Sequence, residues 1–232
     1  MSGRAAAFFD VDGTIVASDI VRYGVEISTA EKGEWARRLW IAGFLPRIPW
    51  YLALDAFSRE AFQRSFYRIY RGLDAETFEE RAEALFHHYV EPRIHPEAES
   101  RLRRHARRGD PVVLVTGSVE TIVRPLARHL DVRHVLAPRL EVEDGRLTGE
   151  LAGEPLAGER KAEAVADWAR EHDADLDVSA GYADSLDDVP MLERLGRPAV
   201  VNPGRRLLDT AVDRGWEVLH WDLPRAARGA AS

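Results

Sequence analysis

The chain of 232 residues has no cysteine. That absence removes disulfide scaffolds, thiol nucleophiles, cysteine-ligated zinc and iron–sulfur clusters. Nor is there a basic excess, since 32 Lys and Arg stand against 39 Asp and Glu for a formal net charge of −7. Nucleic-acid binding needs a basic face that displaces counterions, so no such partner is expected. A local positive pocket for a small anion remains compatible with this balance. An apolar run of membrane-spanning length is also missing. The nearest approach, Leu39 to Phe57, is broken by Pro46, Arg47, Pro49 and Asp55, where about twenty unbroken apolar residues are needed. The five apolar residues before Asp10 are too few for the hydrophobic segment of a secretory signal, which leaves the cytoplasm as the expected location. No internal repeat is found. What is present, 45% hydrophobic and 31% charged residues, is the composition of a folded globular protein.

Residues 5–9 form an apolar run that ends in Asp10-Val-Asp-Gly-Thr14, and read as a buried strand opening into a glycine loop. From Ile20 to about Val90 the pattern changes. Phe57, Ala61, Phe62, Phe66, Ile69 and Tyr70 recur at helical spacing without β-branched runs, which predicts about four helices. Strand and helix then alternate: a helix from Pro96 to Gly109, the strand Val112 to Val115, the turn Thr116-Gly117-Ser118 and a helix to about Leu130. A strand at His134 to Ala137 follows, then a hairpin from Leu140 to Leu151 turning at Asp144-Gly145, and a helix from Glu159 to Glu171. Val178 to Tyr182 is the next predicted strand, leading through Asp184 and Asp188 into a helix to Leu195, and short strands at 199–201 and 217–219 complete the set. Such alternation calls for an α/β fold with a doubly wound parallel sheet. The expected organisation is a Rossmann-like core of residues 1–18 and 92–222, an inserted helical domain of 19–91, and a disordered tail of 223–232 rich in Ala, Arg and Gly.

Chemistry concentrates where the strands end. Asp10 and Asp12 would face opposite sides of a regular strand, so for both to reach one ligand the chain must turn at once, which Gly13 permits. Paired carboxylates divide labour well: one attacks phosphorus while the other protonates the departing alkoxide and later takes a proton from water. Asp184 and Asp188 add carboxylates on the same sheet edge. Oxygen ligands without His or Cys indicate Mg²⁺, and the eight histidines show no metal spacing. Thr116-Gly117-Ser118 joins a hydroxyl, free backbone N–H groups and a helix start into an anion site. Lys161 supplies a point charge for the same phosphate. Each piece has a plainer explanation. Asp-x-Asp-Gly could be a calcium loop, although no third acid precedes the glycine and no Glu stands at EF-hand spacing. Thr-Gly-Ser could cap a helix, Lys161 could be merely solvated, and Asp184 and Asp188 could favour a helix N-terminus. Those explanations do not account for the joint occurrence in this order at successive strand ends.

The four motifs, Asp10-Val-Asp12-Gly-Thr14, Val-Leu-Val-Thr116-Gly-Ser, Gly158-Glu-Arg-Lys161 and Tyr-Ala183-Asp184-Ser-Leu-Asp-Asp188, resemble those of the haloacid dehalogenase superfamily of phosphatases. More narrowly, the chain is similar to the group with a helical cap after the first motif, which includes phosphoserine phosphatase. The resemblance implies an aspartyl-phosphate on Asp10, acid/base work by Asp12, phosphate contacts from Thr116 and Lys161, and Mg²⁺ held by Asp10, the Asp12 carbonyl and Asp184, with Asp188 orienting its water. Ala183 stands where the family usually has Gly, and Asp19 where phosphoserine phosphatases carry a Glu for the substrate's amine. Gly117 and Ser118 belong to the expected phosphate site, and Arg64 and Arg68 are the candidates for gripping a substrate carboxylate. The partner implied is a small-molecule phosphate ester. A phosphotransferase and a phosphate-binding regulatory module are the rival readings. The apolar stretch Trp40 to Leu54 is expected to be packed inside the cap or against the core; as a pocket wall instead, it would select a lipid-like or ring-containing ester.

Overall fold

A computed structural model describes residues 3–228. Six strands, β1 (Ala7–Phe9), β2 (Val112–Val115), β3 (His134–Leu136), β6 (Ala180–Ala183), β7 (Arg197–Val201) and β8 (Glu217–Leu219), make one sheet, and β4 (Leu140–Glu143) with β5 (Arg146–Leu151) makes a separate hairpin. The sheet order is β3-β2-β1-β6-β7-β8, with every neighbour parallel. β1 lies between β2 and β6, pairing Phe8 with Val113 on one side and with Gly181 on the other. The strand order reverses at this point, so a crevice opens at the carboxyl ends of these three strands.

Alternation along the strands sends neighbouring side chains to opposite faces. Phe9 stacks on Tyr182 at 4.3 Å between ring centroids, under α6 (Pro96–Arg108) and α7 (Glu120–His129). Phe8 points the other way and meets Trp168 of α8 (Glu159–Glu171) edge-on at 5.5 Å. α9 (Val189–Glu193) and α10 (Arg205–Arg214) complete that second layer. Burial of each such aromatic stabilises the fold by roughly 1.5–3 kcal/mol.

Between β1 and β2 the chain runs through α1 (Ile20–Thr29), α2 (Glu34–Phe44), α3 (Ile48–Phe57), α4 (Arg59–Phe66) and α5 (Ala75–Leu85), joined by short 3₁₀ and π turns. The i,i+4 aromatic spacing noted in the sequence becomes a column of rings: Phe62 and Phe66 lie 5.5 Å apart, Tyr51 and Phe66 5.6 Å, and Tyr70 and Phe78 4.8 Å. The hairpin turns at Asp144 and Gly145, both with positive φ, and clasps this insertion. The Leu147 N–H donates to the Leu73 carbonyl and the Gly72 N–H to the Leu147 carbonyl, each at 2.8 Å.

Three expectations need correction. The strand predicted to begin at Val178 begins at Ala180, because the Asp175 carboxylate accepts from the Asp177 N–H and winds 176–178 into a 3₁₀ turn. In the tail expected to be disordered, α11 (Arg225–Arg228) is a helical turn, while residues 229–232 lie outside those described. The apolar stretch Trp40 to Leu54 is only partly packed away. Phe44 and Tyr51 are buried, but Leu45, Trp50 and Leu52 are exposed, since helices so short turn only one side toward the ring column.

Candidate active site

The crevice holds a 280 Å³ cavity lined by Asp10, Asp12, Lys161, Asp184 and Asp188, among others. β1 delivers Asp10, whose N–H still donates to the Tyr182 carbonyl at 2.9 Å. The chain then folds back at once, with the Ile15 N–H donating to the Val11 carbonyl and the Gly13 N–H to the Val16 carbonyl. Gly13 has φ 86°, and a Cβ there would lie 2.0 Å from Asp184 Oδ2. A left-handed residue without a side chain is thus needed for conformation and for space.

Lys161, in the first turn of α8, donates from Nζ to Asp10 Oδ1 at 2.7 Å and to Asp188 Oδ1 at 2.6 Å. All three are buried. Burial alone would lower the lysine's pKa, but Asp10 and Asp188 more than offset it, so the ammonium is held charged well above its ordinary range. The carboxylates move the same way through the cost of burying charge. Asp184 is pushed up to about 8 by burial and then by Asp10 and Asp188, and Asp188 to about 6 by burial, against the pull of Lys161. Burial raises Asp10 as well.

Oxygen atoms of Asp10, Asp184 and Asp188 lie within 4.8 Å of one another. This is an all-oxygen donor set whose mutual repulsion a hard divalent cation would relieve, so the residues present fit Mg²⁺. The side chain of Asp12, whose backbone carbonyl is the expected metal ligand, is not part of this cluster and is engaged elsewhere. Its Oδ2 accepts from Thr116 Oγ1 at 2.9 Å and from Ser118 Oγ at 2.8 Å. Its Oδ1 is buried without a partner at hydrogen-bonding distance and angle, although the buried Tyr23 hydroxyl is near enough for carboxyl and phenol to perturb each other. Burial raises the Asp12 pKa against the pull of the two hydroxyls. Thr116 is therefore occupied by Asp12. It also accepts from the Ser118 N–H at 2.9 Å, and α7 begins at Glu120 without a side-chain cap.

Asp19 caps α1 through the Arg22 N–H at 2.9 Å and stands at the cavity mouth. Arg64 and Arg68 do not line the cavity. They reach outward to Glu154 and Glu150 at 2.5 and 3.0 Å. The residues of α4 that do reach it are Arg59 and Gln63, which sequence reasoning missed. Their i,i+4 spacing was legible, but not the rotation of α4 about its axis. Gln63 lies so close to Gly117 that a Cβ there would stand 2.2 Å from its Nε2, and the Tyr67 hydroxyl donates to the Gly117 carbonyl at 2.5 Å. Asp187, also missed, accepts from the Gly158 N–H at 2.9 Å and so ties the α9 side of the site to the start of α8.

A family model described as haloacid dehalogenase-like hydrolase matches residues 7–193. A Mycobacterium tuberculosis protein named probable phosphatase is 34% identical over 226 residues, spanning 97% of this chain and 78% of its own. A phosphoserine phosphatase of the same organism is 30% identical, spanning 96% and 73%. Among solved structures, a substrate-bound phosphoserine phosphatase superposes with TM-score 0.68 at 18% identity over 94% of each chain, a likeness of fold.

Proposed function

Because the chain belongs to the haloacid dehalogenase-like hydrolases, we propose that it is a Mg²⁺-dependent phosphomonoester hydrolase that works through an aspartyl-phosphate on a small organic phosphate. The observation that carries this reading is the convergence of the Asp10, Asp184 and Asp188 carboxylates beside the Lys161 ammonium. Relatives named phosphatase and phosphoserine phosphatase support it.

In this reading Asp10 attacks phosphorus and the P–O bond to the leaving alcohol breaks. The departing oxygen takes a proton from Asp12, whose pKa burial raises above the ordinary carboxylate value, the direction that an acid role requires. Asp12, now a carboxylate, then takes a proton from the water that attacks the acyl-phosphate, releasing inorganic phosphate and restoring both side chains. Thr116 and Ser118 aim Asp12 by fixing Oδ2, and Lys161 holds Asp10 and the phosphate charge. Mg²⁺, held by Asp10 and Asp184 with Asp188 behind them, would neutralise the phosphate and the crowded carboxylates. The Gly117 peptide borders the phosphate seat, with Ser118 behind it on Asp12. We read the 19–91 insertion as a cap that closes over the ester and limits water, with Arg59 and Gln63 rather than Arg64 and Arg68 facing the substrate.

The test is phosphate release from a panel of monoesters with Mg²⁺ present, together with trapping of the phosphoenzyme. Activity that survives Asp10→Asn, or a panel with no turnover, would remove the reading.

A further inference from the structure

α3 is apolar on nearly all sides: of its ten residues only Asp55 is charged. A helix of that composition is ordinarily buried all round. Here Tyr51 and Leu54 face the ring column, whereas Trp50, Leu52 and Phe57 are 61%, 64% and 90% exposed. α2 adds Trp35 and Leu39, 85% and 75% exposed. Their spacings, 35 with 39 and 50 with 57, place each set along one helix stripe. Large apolar side chains grouped at a surface mark a contact.

A second observation joins this face to the chemistry. A 370 Å³ cavity walled by Ile48, Tyr51, Leu52 and Phe62 shares Asp19, Ile20 and Arg59 with the carboxylate cavity. Leu52, two residues and so about 200° round α3 from Trp50, is exposed on the side of that wall and not on the Trp50–Phe57 stripe. An apolar compartment of ligand size thus adjoins the phosphate site, with Leu52 at its exposed edge. The face also has a sign. Across α2, the turn after it and α3, residues 34–57, three arginines, Arg37, Arg38 and Arg47, stand against Glu34 and Asp55, a local excess of one positive charge on a chain of formal charge −7. Arg37 and Arg38 pair with Glu26 and Glu34 at the edge, and Arg47 is exposed between Leu45 and Trp50. Trp, Phe and Leu with interspersed Arg is the chemistry of helices that lie in a lipid interface, and among the described residues no helix is long and apolar enough to cross a membrane.

We propose that the substrate is an amphiphilic phosphate monoester. Its phosphate sits among Asp10, Lys161 and Asp184, and its apolar chain lies against Tyr51, Leu52 and Phe62 while the α2–α3 face rests on an anionic lipid surface. This deepens the phosphatase reading and rests on it.

The experiment compares methyl phosphate with monomeric octyl phosphate, with Mg²⁺ present. Burial of several methylenes predicts a kcat/KM for octyl phosphate higher on the order of 10²-fold, and Leu52→Glu lowers the octyl-to-methyl ratio at least about tenfold. In parallel, the wild type co-floats with phosphatidylglycerol vesicles and not with phosphatidylcholine vesicles. Trp50→Ser/Phe57→Ser, verified as folded by circular dichroism, loses that binding. Equal rates on the two esters, with Asp10→Asn inactive on both, would sink the substrate class and leave the phosphatase intact. No hydrolysis of any ester removes both. A dimer in lipid-free solution that is broken by Trp50→Ser/Phe57→Ser, with no vesicle binding by the wild type, assigns the face to a second copy of the chain and overturns the lipid surface.

Discussion

The α/β core and the helical insertion handle their unusual residues in opposite ways. In the core, charge is buried and answered: Lys161 is 5% exposed and touches two carboxylates, and the Asp12 carboxylate receives two hydroxyls. In α2 and α3 the anomaly is apolar and left in the open, with Trp35, Trp50 and Phe57 all more exposed than covered. Buried charge left unpaired would be severely destabilising, so the core has to complete its own site. Exposed apolar surface costs the fold far less, and can wait for a partner. The contrast separates the carboxylate–lysine centre, to which we assign the reaction, from the surface to which we assign the choice of substrate.

The sharpest break of that comparison is Asp10→Asn. It should lower phosphate release at least about 10³-fold with an unchanged circular dichroism spectrum; a modest loss would mean the core site is not the reaction centre. Next comes stability. Phe8→Ala removes the ring packed on Trp168 and should cost about 3–5 kcal/mol in denaturant unfolding, while Phe57→Ala should stay within about 0.5 kcal/mol. A large loss for Phe57→Ala would show that the insertion's outer face is structural.

Within α4 the contrast is finer. Arg59 faces both cavities and Arg64 an exposed glutamate, so Arg59→Ala should raise KM about tenfold and Arg64→Ala should leave steady-state kinetics within about twofold. The smallest effect is the pH dependence of metal stabilisation. The Asp184 pKa is raised in the fold to about 8 from an ordinary 3.8. Its contribution to metal-free stability is therefore present below the unfolded value and is lost as pH rises through the folded one. Mg²⁺ takes the place of the proton, so saturating metal should raise Tm by about 4 °C more above pH 8 than at pH 6. Equal shifts at both pH values would contradict a carboxylate metal site.

Much of the core was readable in the chain, because strand ends followed by Gly, Asp and hydroxyl residues carry local signatures. Asp10-Val-Asp-Gly announced its turn, Asp144-Gly145 its hairpin, and Gly109 the end of α6, where φ is 78°. The direction in which Asp12 points was not readable. Thr116 and Ser118 meet it from about a hundred residues away. Arg59 and Gln63 eluded sequence reasoning because helical spacing shows which residues share a face, but not which face meets the crevice.

By itself, then, the order of residues determined the alternation of elements, the identity of the acids and the lysine at the strand ends, and the place of the helical insertion, since these follow from local backbone preference and from two periodicities. The tertiary structure decided which carboxylates share one centre, which arginine faces it, and which apolar residues remain in water. Those are questions of distance between segments remote in sequence, and only packing about a common sheet answers them.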